Sequence, residues 1–354
     1  MFALKPDYEQ AKRRIETFWH HEDTDRPFAR IVYPKANAKP ITQKHHATKE
    51  DWWLDVEYRA EADAQYMENF VYFADALPLL SPNLGPGILS AWAGCPYTFG
   101  LETAWTDPCV TDWEKDKAIM DMNHPLAKKL EKYTALLLER GKGKFIVGLS
   151  DFHPGGDHLA ALRGNEALAM DMYDNPDAIK AWLESSYAEY FPIYDYYVDW
   201  LRREGQPIAS WLHLVDDEKM YIPSNDFSCM VSKDMFDEFF LPGIIRECKH
   251  YGKSIYHLDG PGALQHLDSL LAIPELHAIQ WVPGAGQDEL YRWVDVCKKI
   301  LNAKKSLYLD VFRKHDLDVV MENLPAKGLA LNICNIRNEE DANDVLKRIS
   351  SWPR

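Results

Sequence analysis

The chain has 354 residues, 46% of them hydrophobic and 27% charged, a globular composition that excludes global disorder. A formal net charge of −15 repels phosphate backbones and anionic bilayers, so neither nucleic acid nor membrane is an expected partner. No apolar run approaches the ~20 residues of a membrane span. The N-terminus turns charged at once, and six scattered cysteines form no disulfide framework, so a cytoplasmic location is expected.

Residues 5–21 place Tyr8, Ala11, Ile15 and Phe18 on one helical face. The segment ARIVYP at 29–34 reads as a short strand, and 51–73 as a second helix, with Thr48 and Asp51 at capping-box spacing. NLGPG at 83–87 is a loop. The Trp- and Gly-rich stretch that follows, 91–108, has the composition of a site-lining lid or a dimer surface. Counting 76–80, eight apolar runs read as strands, the others at 144–149, 207–214, 222–227, 254–258, 278–282, 306–311 and 328–333. Helical patterns at 125–140, 176–204, 233–251, 262–271, 287–301, 317–323 and 339–350 lie between most of them. The gap between 214 and 222 is too short for a helix.

Strands alternating with helices predict parallel βαβ units. The count fits an α/β (β/α)8 barrel of TIM type over 71–354, with an N-terminal helical segment (1–70) packed on it as one structural unit. A doubly wound sheet is the competitor, but no GxGxxG or GxxxxGK[ST] follows an early strand.

In a barrel, reactive side chains gather at the C-terminal strand ends. Those ends carry Asp151 and His153; Trp211 and His213; Asn225 and Asp226; His257 and Asp259; Gln280 and Trp281; Asp310; and Asn332 and Cys334. His257-Leu-Asp259 is the sharpest local signal, since residues i and i+2 of a strand face one side. The pair can chelate a metal, work as an acid–base couple, or form a structural hydrogen bond. No G-x-S-x-G elbow, CxxC or HExxH is present.

The order of motifs resembles the uroporphyrinogen decarboxylase superfamily. DRPFARI at 25–31 is similar to its N-terminal entry, and HLAALRG at 158–164 to an internal turn. Asp226, Ser232, Phe236, Phe239, Pro242, His257 and Gly260 follow its strand–helix–strand pattern, and KGLALNICN resembles its last strand. True uroporphyrinogen decarboxylases carry an Arg-rich segment where this chain has IVYPKANAKP, so that activity is not expected.

The cobalamin-dependent methyltransferase branch implies a zinc held by H-x-C and a later cysteine. His257 matches the histidine, Asp259 stands in the middle position, and Cys334 follows it by 75 residues. The resemblance therefore implies zinc on His257, Asp259 and Cys334, and a partner corrinoid protein that supplies or receives the methyl group. Asp226, His213 and Asp151 are the candidate proton-transfer groups, with Asp226 or His213 a possible fourth ligand. Trp211, Trp281 and Trp92 are candidate apolar walls around a small-molecule substrate, with Gln280, His153 and Asp310 as polar contacts. Two other readings stay open: a metal-free decarboxylase or lyase using Asp226 and a histidine, and a barrel that binds a carbohydrate-like molecule without catalysis. A homodimer is also compatible with the sequence.

Overall fold

The computed structural model describes residues 2–287 and 289–353. Its strands are β1 (Phe28–Pro34), β2 (Phe70–Ala74), β3 (Leu79–Leu80), β4 (Tyr97–Phe99), β5 (Ala104–Thr106), β6 (Ile146–Val147) and β7 (Ile208–Ala209). They continue with β8 (Val215–Asp216), β9 (Met220–Tyr221), β10 (Lys253–Asp259), β11 (Ala278–Val282), β12 (Ser306–Val311) and β13 (Leu329–Ile333). The main sheet has seven strands in the order β2-β1-β13-β12-β11-β10-β9. All neighbours in it are parallel except β2, which runs antiparallel along the edge of β1.

The chain is thus an α/β protein with a mostly parallel central sheet and helices between its strands, as the alternation predicts. Hydrogen bonding does not close the sheet into a ring of eight among the described residues. β3 and β6 pair separately in parallel, and Leu149 N–H donates to Ala209 O at 2.7 Å where β6 meets β7. The β3–β6 ladder is two residues long, bounded by Ile146 N–H donating to Pro78 O at 2.7 Å and Gly148 N–H donating to Leu80 O at 2.9 Å.

Several local assignments differ from the sequence reading, and the strands expected over 76–80, 144–149 and 207–214 form only at Leu79–Leu80, Ile146–Val147 and Ile208–Ala209. The predicted helix over 51–73 is two helices, Lys49–Leu54 and Val56–Glu68, followed by β2. The helix stops at Asn69, whose side chain ties to Lys39 through both its oxygen and its nitrogen at 2.8 Å. The next five residues, FVYFA, are mostly β-branched and aromatic and extend along β1. The predicted strand 222–227 is irregular: Met220–Tyr221 just before it pairs with β10, Ser224 makes a single parallel bridge to His257, and Asp226–Met230 is a 3-10 turn. The helix pattern after it holds, and Ser232 caps it by accepting from Met235 N–H at 3.3 Å.

Residue parity on the parallel strands positions the site. Ala29, Ile31, Leu258, Ile279, Trp281, Leu307, Leu309 and Leu331 pack with the surrounding helices in one core. Phe28, Ile255, Ala278, Tyr308 and Ala330 face the other side, in a core shared with helix Tyr8–Trp19 and helix Pro125–Gly141. Along that second face, each of Arg30, His257, Gln280, Asp310 and Asn332 follows a core residue by two positions: Phe28, Ile255, Ala278, Tyr308 and Ala330. Both faces of the sheet are largely buried, as parallel sheets require, and these five polar side chains lie one step along from the core layer.

Candidate functional site

Parallel register aligns these polar ends in a row. His257 is paired with Gln280, Arg30 with Asn332, and Asp310 with Asn332. His257 Nδ1 lies 2.7 Å from Gln280 Oε1. An amide oxygen only accepts, so Nδ1 carries the hydrogen and Nε2 presents its lone pair. The ring meets Trp211 edge-on, with centroids 5.3 Å apart at 81°.

His257, Asp259 and Asp226 offer one ligand atom each, all within 4.8 Å of one another. Asp226 and Asp259 are exposed and His257 is half-buried. A neutral imidazole Nε2 and two carboxylates suit a divalent cation, and Gln280 supplies the outer hydrogen bond that orients a metal-bound histidine. The donor set thus fits a metal. Cys334 stands apart from these three. Its thiol lies 3.7 Å from Asn332 Nδ2, and burial with the Asp310 charge pushes it up to about 11. Of the expected zinc set, the structure brings His257 and Asp259 together and adds Asp226 where the sequence reading placed Cys334.

Beside this cluster sits an ion pair. His153 Nε2 lies 2.8 Å from Asp151 Oδ1, and His153 Nδ1 lies 2.6 Å from Ser224 Oγ. Burial opposes charge on His153, but Asp151, Asp157 and Asp226 outweigh it and raise the imidazole to about 10. Burial pushes Asp151 the opposite way from its partners, yet the charged His153 and the Trp211 N–H hold it below the usual carboxylate range. Asp226, though it reaches solvent, is crowded by neighbouring side chains, and this partial desolvation followed by repulsion from Asp157 moves it up to about 6. Asp157 in turn accepts from Phe227 N–H at 2.9 Å and Ser224 Oγ–H at 3.3 Å, which fixes the turn that carries Asp226.

The pair separates two cavities. One of about 520 Å³ is lined by His153, Asp157 and Asp226, with Trp105 and Met230 on its rim. The other, about 280 Å³, is lined by Asp151, Trp211, His213 and Arg30. His213 Nε2 accepts from Arg30 Nη2 at 3.3 Å, and burial with the Arg30 charge keeps its pKa well below the usual histidine value. Asn332 accepts from Arg30 Nη1 at 2.7 Å and donates to Asp310 at 2.7 Å. Burial raises Asp310 despite Asn332 and Arg30.

Two predicted wall residues lie elsewhere. Trp281 is 1% exposed and packs on Trp293 at 5.1 Å in the helix-side core. Trp92 is 2% exposed and packs on Phe152 at 5.9 Å. Both are core side chains, and strand parity explains the first: with Gln280 facing the site, Trp281 must face away. Arg30 was not singled out from the sequence. Its signal was one charged residue inside the apolar run of β1.

The sequence matches no protein-family model and no curated protein. The fold is similar to that of a solved methyltransferase from Methanosarcina mazei, at 11% identity and a TM-score of 0.63. The likeness covers 97% of this chain and 98% of that one, so the whole architecture is shared. No described helix is long and apolar enough to cross a membrane.

Proposed function

We propose that this protein is a methyltransferase with a TIM-like, uroporphyrinogen decarboxylase-type fold, moving a methyl group between a small molecule and a corrinoid protein. The observation that carries this reading is the Asp226–His257–Asp259 cluster beside Trp211, in a chain whose whole fold is similar to a methyltransferase. Asp226, His257 and Asp259 would hold a zinc ion. A bound zinc supplies Lewis acidity, polarising the heteroatom that gives or takes the methyl group. Two carboxylates in place of thiolates favour an oxygen or nitrogen heteroatom over a soft sulfur.

The chain's own groups do the rest. Gln280 holds His257 in the tautomer that offers Nε2. Trp211 forms an apolar wall against the imidazole, and Asp151 fixes its indole N–H. His153 stays protonated and offsets the negative charge gathered by Asp151, Asp157 and Asp226. The test is methyl transfer with methylcobalamin as donor and a panel of alcohols, amines and thiols as acceptors. The reading expects transfer by the wild type and none by His257→Ala. A wild type that transfers no methyl group to any acceptor or from any methylated analogue overturns it.

A second reading rests on Asp226 alone. A carboxyl raised to about 6 in an open cavity can deliver a proton near neutral pH, as a metal-free lyase needs. Activity that survives complete metal removal and is lost in Asp226→Asn would favour it.

A further inference from the structure

Arg30 carries a positive charge into the 280 Å³ cavity without a carboxylate in contact with it among the described residues. Its two hydrogen-bond partners, the Asn332 amide oxygen and His213 Nε2, are both neutral acceptors, and its Nε is buried with no partner. A guanidinium cannot shed its proton, so this charge persists at every relevant pH. His213 is held against it by a left-handed backbone, φ 60°, a conformation that a non-glycine residue adopts at an energetic penalty. Asp151 also borders the cavity, but its charge is taken up by His153 and the Trp211 N–H. Most of the remaining lining is apolar, from Val32, Met67, Phe70, Leu79 and Leu80, with Ser81 and Asn83 adding polar atoms.

We propose that this cavity is a binding site for a small organic anion, a carboxylate on a compact apolar body, with Arg30 as its charge partner. The planar guanidinium fork matches a carboxylate, and a charge-assisted pair in a low-dielectric pocket is stronger than a neutral hydrogen bond. At about 280 Å³ the cavity sits at the small end of ligand sites, which limits the apolar body to one ring or a short chain. Trp211 lines this cavity and also touches His257, so the ligand lies next to the metal-type cluster. That it is the methyl-transfer substrate rests on the reading above; that it binds does not.

Calorimetric titration of the full chain with benzoate, phenylacetate and hexanoate, each beside its primary amide, tests the site. At least one carboxylate is expected to bind ~10-fold or more tighter than its amide, the usual advantage of a charged hydrogen bond. Arg30→Met should remove that preference, and Leu80→Trp, which fills the cavity, should abolish binding of both forms. His257→Ala should leave the preference intact, which separates this site from the fate of the methyl-transfer reading. Amides that bind as well as every carboxylate, or a preference that survives Arg30→Met, would overturn the assignment.

Discussion

His257 and Gln280 sit directly opposite each other on neighbouring parallel strands, and the 2.7 Å contact between Nδ1 and Oε1 turns the imidazole's free nitrogen toward two carboxylates. Replacing Gln280 with leucine removes that orientation while keeping a buried side chain of similar size. Metal affinity should fall ~10–100-fold, the usual effect of losing an outer hydrogen bond on a metal-bound histidine. Competition with a fluorescent zinc chelator measures it, and unchanged affinity would mean that Gln280 does not set the tautomer.

Asp226 should act on stability in the opposite direction from its role in binding. Its folded pKa, about 6, lies above the usual carboxylate value, so the folded state holds a proton more tightly than the unfolded one. Its favourable contribution is therefore present in acid and is lost as pH rises through about 6. Asp226→Asn should raise the melting temperature at pH 8 relative to wild type, with the difference vanishing toward pH 4. The same substitution should weaken metal binding, because a carboxamide replaces an anionic ligand.

The His153–Asp151 pair has the reverse logic to an isolated buried histidine. With its pKa raised to about 10, His153 adds stability in full below the ordinary histidine value and loses it as pH climbs through about 10. Asp151→Asn leaves the imidazolium without its main partner at 2.8 Å and should destabilise the fold by about 3 kcal/mol at pH 7. Urea melts of the two proteins at pH 7 and pH 10 check both the size and the narrowing of the gap.

The three tryptophans divide by location. Trp281→Ala and Trp92→Ala remove fully buried side chains and should each lower stability by about 3–5 kcal/mol, with metal content unchanged. Trp211→Ala removes a half-buried wall and should lose activity with a smaller loss of stability. Equal stability losses for all three would place Trp211 in the core as well.

Much of this was legible before any coordinates. The strands 278–282 and 306–311 and the long helix from Pro176 have the expected bounds, because continuous apolar runs and a proline at the first helical turn mark them locally. The pairing of His257 with Asp259 follows from strand parity within one segment. What remained hidden depends on register between strands. Nothing in the sequence aligns Gln280 with His257 or Arg30 with Asn332, and nothing local says that the turn after β9 brings Asp226 to them. Cys334 is two residues past Asn332 but lies outside the three-donor group, a placement that sequence distance cannot reveal. Parity within β11 does forbid Gln280 and Trp281 from sharing a face, so that choice was open to sequence reasoning.

The most direct measurement is the metal content of protein purified without chelator or nickel, for the wild type, Asp226→Ala, His257→Ala and Cys334→Ser. The geometry predicts about one zinc per chain in the wild type and in Cys334→Ser, and loss in the other two variants. A metal-free wild type, or zinc lost in Cys334→Ser and retained in Asp226→Ala, would contradict a catalytic metal on Asp226, His257 and Asp259.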